Sequence, residues 1–542
     1  MRYASHYRFV ATARKGFACV SAAFAIFAIM VVAQEQSAFA APQNPALDIL
    51  NAPIGGSSSD KFGHSIAVND EFAAVGAPGL PATAPDATLP FAGGVHIYQY
   101  FGNGIFNFTT SLIPANIAAN DGCGTAVAAS SDWVVAGAPG RNIFTTSNQL
   151  QAGIVWAWKR TGGTSWDPTP FSLAHPDPKS IDLFGSSVAL QDDTVAGVTH
   201  RTIVVGAPGD NVVYPDCGSV SVFDWNGSRW VPTAFIAPPT LTGEDGSLVA
   251  YGFFGSAVAI AGDFMVIGAK RQTATVNKQG TAFVFRRNTL ANPAPFILQT
   301  NSSWGEWCLV QRIVAQVPTA DAQFGAAVTL TQFNLMIGAP GGANSPGSAS
   351  LYRIDSVGGT FVHDQQIVAY AGQNGDQFGT AMVMRGETAY VGAPGVNAGA
   401  GSAEISNRGA VYLFERSDGC GSWTQGVSLL PSMDPSAATI PDAAFGTAVD
   451  FTAQCVAVSA PKGNNAQLGQ GVVLTYALIA NSCVWDLTGD GGVSGADLTL
   501  FFSHWGGSLP SDQIADYNHD GIVNGLDLSY ILAHWGSCDC VP

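Results

Sequence analysis

Two stretches near the C-terminus hold oxygen-bearing side chains at metal-ligand spacing. Asp486, Thr488, Asp490, Gly492, Ser494 and Asp497 stand at positions 1, 3, 5, 7, 9 and 12 of a loop. Asp516, Asn518, Asp520, Ile522, Asn524 and Asp527 repeat that pattern 30 residues later. Gly491 and Gly521 both fall at position 6, where such a loop turns sharply. Carboxylates and carbonyls at this spacing suit a hard cation, and the pattern predicts two calcium ions. Positions 7 would give backbone carbonyls, and position 9 acts through water.

Each loop runs into an apolar stretch at helical spacing. Leu498, Phe501, Phe502 and Trp505 share one face of the first, and Leu528, Ile531, Leu532 and Trp535 share one face of the second. Both stretches end in Trp-Gly, a helix-stop signal. A duplicated EF-hand-type loop and helix resembles a type I dockerin module, over residues 483–542. The resemblance implies a cohesin-like protein partner. Loop positions 10 and 11, which usually help set that partner, are Gly495-Ala496 and Gly525-Leu526. His504 and His534 read as helix-surface residues, and His519 as solvent-facing.

No catalytic motif accompanies these loops. The sequence holds no nucleophile elbow, no His-Glu-x-x-His and no phosphate loop, and Gly63-His64-Ser65 lacks the trailing glycine of an elbow. The nine histidines are scattered with no obvious ligand pair. The expectation is a protein that is not an enzyme, with no catalytic residues. A site assembled from distant segments of the chain would escape a linear reading.

The rest of the chain is a repeat. Phe-Gly, a short apolar run, a turn, a second apolar run and Gly-Ala-Pro recur seven times. The motif starts at Phe62, Cys123, Phe184, Phe254, Phe324, Phe378 and Phe445. Cys123 stands for Phe in the second copy, Lys270 for Pro in the fourth and Ser459 for Gly in the seventh. The two halves of the motif lie 14 residues apart in six copies and 22 apart in the third, an insertion around Asp192 to His200. Each copy continues with a third β-branched or aromatic run, such as Gly94 to Tyr100, and copies one to six with a fourth, such as Phe106 to Ile113. Four strands in about 60 residues are too small a unit to stand alone. The reading is a mainly β fold: a seven-bladed β-propeller of four-stranded blades, with a small α-helical module at its C-terminus. The seventh copy lacks a fourth strand, and Ala46 to Asn51 is expected to supply it and close the ring.

The Phe-Gly and Gly-Ala-Pro pair resembles the FG-GAP repeats of the integrin α-subunit propeller and of bacterial exported proteins, over residues 41–480. Many such propellers bind calcium through an Asp-rich loop between strands one and two. The turns here, such as Asn69-Asp70-Glu71, are too short to hold it.

Composition agrees with this organisation. Only 11% of the 542 residues are charged, against about 25% in ordinary domains. Glycine supplies 63 residues, as many short strands and turns require. The net charge of -17 leaves no basic face for nucleic acid. Residues 1–40 read as a secretory signal: Arg2, Arg8, Arg14 and Lys15, then an apolar run, then Ala38-Phe39-Ala40. An uncleaved anchor is the alternative, and no later segment is expected to span a membrane. Apart from Cys19 there are eight cysteines, an even number that suggests disulfides in an exported chain. Cys483 with Cys538 or Cys540 could clasp the tail, and Cys123 could pair with Cys217.

The functional expectation is a secreted or cell-surface interaction and adhesion protein, with a monomeric propeller. Its ligand would be a protein or a polysaccharide, held by the loops between strands two and three and between blades. These include Leu80 to Ala92, Arg141 to Gln151, Ala237 to Val249 and Val396 to Arg408. The alternative is a carbohydrate-active enzyme, or a subunit of an enzyme complex, carried by its dockerin-like tail.

Overall fold

Residues 42–542 form one compact unit. The computed structural model describes residues 48–477 apart from 54–58, 85–86, 101–104, 145–146, 196–197, 240–249, 275, 289–296, 343, 356–358, 398–405, 417–421, 431–441 and 464–468. Beyond them it describes 492–493, 495–506, 523–525, 528, 532 and 536–537. The expected signal at 1–40 lies outside the described residues.

Seven antiparallel sheets follow one another along the chain, one for each copy of the repeat. Blade one pairs Ser65–Val68, Phe72–Ala77, Gly94–Tyr100 and Phe106–Leu112 in that order. In blade two the outer position is divided between Ser165–Trp166 and Phe171–Leu173, both paired with Ile154–Gly162. The insertion in copy three lengthens a hairpin. Ser187–Val195 pairs with Val198–Ala207 in unbroken register out to Val195 and Val198. Blade seven takes its fourth strand from the start of the fold. Asp48–Asn51 pairs antiparallel with Val472–Ala477, placing Asp48 opposite Thr475 and Asn51 opposite Val472. The ring therefore closes as the sequence predicts.

The repeat residues explain why these sheets stack. The motif phenylalanine sits between blades. Phe254 is fully buried against Val220, Val222 and Ile236 of blade three and Met265, Ile267 and Phe283 of blade four. Its backbone N–H donates to the carbonyl of Cys217, just before strand three of the preceding blade, at 3.0 Å. The same bond recurs at every junction, and Phe62 to Gln470 at 3.1 Å makes it across the closure. The second strand of each blade is covered on both faces by neighbours. All six residues of Phe72–Ala77, Trp133–Ala138, Phe264–Ala269, Asn334–Ala339 and Cys455–Ala460 are buried. That is why these strands read as continuous apolar runs and why the chain carries so few charges.

Two glycine positions of the repeat are fixed by crowding, the first in six blades and the second in all seven. A Cβ on Gly268, in the Gly-Ala-Pro position, would lie 2.0 Å from the carbonyl oxygen of Gly325, in the next blade's Phe-Gly step. The second was not anticipated from sequence as part of the motif. Gly280 opens strand three of blade four with φ +87, and a Cβ there would lie 2.1 Å from the Phe324 carbonyl oxygen.

The cysteines correct the disulfide expectation within the ring. Cys123, Cys217, Cys308 and Cys455 are free and buried. Cys123 fills the motif aromatic's place between blades one and two, with Phe72, Val134 and Trp156. Cys217 precedes strand three of blade three, its thiol against the carbonyl oxygens of Asp210 and Gly218. They serve different inter-blade junctions as small apolar groups, so Cys123 and Cys217 do not pair. Cys483, Cys538 and Cys540 lie outside the described residues.

Of the C-terminal module, one helix α1 (Gly495–Ser503) is described. It begins three residues before the expected Leu498 and ends by Gly506, whose φ of +74 fits the anticipated glycine stop. Phe501 is buried, while Phe502 and Trp505 are about half exposed. Gly492–Val493 pairs with Gly536–Ser537. Residues 525, 528 and 532 are helical, within the second expected helix and its approach. Among the described residues no helix is long and apolar enough to cross a membrane.

Candidate functional site

Strands alternate in direction, so the loops between strands two and three and those between blades emerge on one face. Two of the expected binding loops fold into small hairpins there. Ala82–Ala84 pairs with Ala87–Leu89 on blade one, and Ile143–Phe144 with Asn148–Gln149 on blade two. Parts of the loops at 237–249 and 396–408 lie outside the described residues. Several large apolar side chains are exposed on this face. Phe144 and Tyr370 are 78% and 79% exposed, and Phe91, Ile181, Val213, Tyr251 and Val317 join them.

A depression of about 430 Å³ opens on this face where blades six, seven and one meet. Lys61, His64, Gln377, Thr380, Asn407, Asp442, Thr447 and Lys462 line it. A neighbouring one of about 350 Å³ shares Lys61 and His64 and reaches Phe91 and Asn120. The repeat identifies what is unusual here. Two residues after the motif aromatic, Thr125, Ser186, Thr380 and Thr447 each donate a hydroxyl to the carbonyl three residues back. Blade one has His64 at that place. Burial, and then the charge of Lys61, lower its pKa. Lys61 and Lys462 are exposed and make no ion pair among the described residues. Asp442 is engaged by Asn407, whose Nδ2 donates to Oδ1 at 2.7 Å. The depression thus presents cations in a chain of net charge -17.

A second arrangement lies inside the ring, at blade three. Four copies carry a buried aspartate two residues before the motif: Asp60, Asp121, Asp182 and Asp376. Asp121, Asp182 and Asp376 each accept a backbone N–H from three residues upstream at 2.6–2.7 Å. These aspartates cap the turn into strand one, a role legible in the repeat but not anticipated. In blade two, Arg141 pairs with Asp121 at 2.7 Å. In blade three the residue equivalent to Arg141 is Asp210, and His175 lies between the two carboxylates. His175 Nε2 is 3.1 Å from Asp210 Oδ2, and Nδ1 is 3.8 Å from Asp182 Oδ2. The histidines are therefore not uniformly remote from partner ligands, contrary to the linear reading. Burial works against the charged imidazole, but the Asp210 hydrogen bond and charge outweigh it and raise its pKa. Burial pushes Asp182 up to about 6. Burial would raise Asp210 too, yet hydrogen bonds from His175 and Ser219 leave it lowered.

Ser219 Oγ lies 3.2 Å from His175 Nε2, but it donates to Asp210 Oδ2 at 2.7 Å. Ser219 is fully buried, so no substrate reaches this Ser-His-Asp grouping.

Of the twelve residues expected to hold calcium, Gly492, Asp497 and Asn524 are described. Gly492 is in the short strand, Asp497 is fully buried in the first turn of α1, and Asn524 precedes the second helical segment. Asp486, Thr488, Asp490, Ser494, Asp516, Asn518, Asp520, Ile522 and Asp527 lie outside the described residues.

The FG-GAP repeat family model matches residues 240–285, from the approach to blade four through most of its third strand. No curated protein matches the chain. The match falls on one of seven copies that share motif, spacing and sheet order, and the chain is accordingly a seven-bladed β-propeller that carries the FG-GAP repeat.

Proposed function

We propose that this is a secreted or cell-surface adhesion protein whose loop face holds a protein or polysaccharide ligand, and that it is not an enzyme. The observation that carries the reading is the depression at the meeting of blades six, seven and one. It sets Lys61, His64 and Lys462 beside hydrogen-bonding Gln377, Thr380 and Asn407, within a face of exposed Phe and Tyr side chains. Aromatic and amide groups around a shallow concavity suit sugar rings or a polypeptide, and the lysines favour carboxylate-bearing ligands.

The C-terminal module would attach the protein to its partner in a calcium-dependent way. Its support is the twelve-position spacing together with Asp497, a buried carboxylate where the loop passes into α1. Oxygen donors at those positions fit calcium. The half-exposed Phe502 of α1 and Trp505 in the turn after it give an apolar surface for a cohesin-like partner.

The test is binding of the full chain to arrays of polysaccharides and of envelope proteins, beside Lys61→Glu and Lys462→Glu. A ligand retained without turnover and weakened in both variants supports the proposal. Binding indifferent to both charges, or release of cleaved sugar, overturns it.

A further inference from the structure

We infer that blade three carries a divalent transition-metal site formed by His175, Asp182 and Asp210. The three residues come from separate segments: the end of blade two's outer strand, the approach to blade three and the end of its second strand. One donor atom from each lies within 4.8 Å of the others. All three are buried, with exposures of 4%, 0% and 1%.

Two observations separate this group from a chance cluster of acids. Asp182 Oδ1 and Asp210 Oδ1 are buried and have no hydrogen-bond partner. A buried carboxylate oxygen is ordinarily satisfied, and each one left alone carries a desolvation cost. A cation ligated by both carboxylates would compensate their buried charge. The repeat gives the second observation. Blade two answers its buried aspartate with the Arg141 guanidinium, whereas blade three places another carboxylate at that position. A protonated His175 offsets one of the two carboxylate charges; a divalent ion, displacing that proton, would cancel both.

The donor set indicates the class of ion. One imidazole nitrogen with carboxylate oxygens suits zinc, cobalt, iron or manganese, whereas calcium takes six to eight oxygens. The hydrogen bond between His175 Nε2 and Asp210 Oδ2 already holds the two atoms 3.1 Å apart, close to the separation of neighbouring donors on one ion with bonds of about 2.0–2.2 Å, and its proton would leave as the ion binds. Ser219, donating to Asp210 Oδ2, fixes the carboxylate that would bind. Because the site joins blade two to blade three, the ion would staple adjacent blades.

The experiment uses the full chain stripped by chelator, with calcium in excess to fill the C-terminal loops, then titrated with cobalt(II) and zinc(II). The expected result is one cobalt ion per chain, displaced by zinc. X-ray absorption should show one imidazole among oxygen donors, and the melting temperature should rise on zinc addition. Asp210→Asn and Asp182→Asn keep the side-chain shape, and with His175→Gln should abolish cobalt binding and the thermal shift. The wild-type stoichiometry and ligand shell decide the matter even where a variant fails to fold. No cobalt bound in the presence of calcium, an all-oxygen shell, or binding unchanged in folded Asp210→Asn and Asp182→Asn overturns the site.

Discussion

Leu50 is the side chain by which the start of the fold locks the ring. It is 1% exposed and packs with Phe62, Val75, Cys455 and Val473, and so bridges blades one and seven. Its strand also gives the Asn51 carbonyl to the buried Tyr98 hydroxyl at 2.5 Å. Truncating such a leucine to alanine costs about 2–5 kcal/mol. Unfolding entropy near 2.1 cal/mol/K per residue, over a ring of about 430 residues, gives roughly 0.9 kcal/mol/K. Leu50→Ala should therefore lower the melting temperature by about 2–6 °C. Deleting 42–51 should lower it further, because it also orphans the Tyr98 hydroxyl, at about 1–3 kcal/mol. It would bare the outer edge of Val472–Ala477 as well, and an unpaired edge invites strand addition. Calorimetry and light scattering read both effects, with half-exposed Leu150→Ala as the control, expected within about 0.5 kcal/mol of wild type. A deletion variant that melts with the wild type and stays monomeric would refute closure by this strand.

Gly280 and Gly386 both have positive φ, but they differ in space. Gly386→Ala meets nothing within 4 Å and should cost about 1–2 kcal/mol from backbone conformation alone, measured by denaturant unfolding. Gly280→Ala must also displace the Phe324 carbonyl and should exceed about 4 kcal/mol; equal losses in the two would sink the crowding argument. His96 is buried with Nε2 unpartnered, and burial lowers its pKa from 6.5 to about 4. The unfolded chain then binds the extra proton between those values. Stability is full above pH 6.5 and falls by about 3 kcal/mol as pH drops to 4. His96→Gln keeps a partner for Ser111 and should flatten that slope in acid melts; a slope equal to that of the wild type would contradict the assignment.

The ring was legible because each blade repeats the same local solution. Phe184, Phe254 and Phe324 recur at motif spacing, and each is fully buried between sheets. The closing strand followed from a missing fourth strand in copy seven. Other features could not be read along the chain. The Cys123–Cys217 pairing looked plausible by topology, yet the thiols occupy separate inter-blade junctions. The strand-three glycines were visible residues without a visible reason, since the carbonyl that excludes a Cβ belongs to the next blade.

The sequence by itself determined the number of blades, the residues between them and the way the ring closes, because those depend on short-range pattern repeated seven times. It also set out the twelve-position loops of the tail. Tertiary structure alone decided which departures from the repeat meet. His175 and Asp210 are separated by an intervening hairpin, and Lys61 and Lys462 by nearly the whole ring. They become neighbours only because stacked blades bring distant loops to a common junction, where burial and charge act through space rather than along the chain.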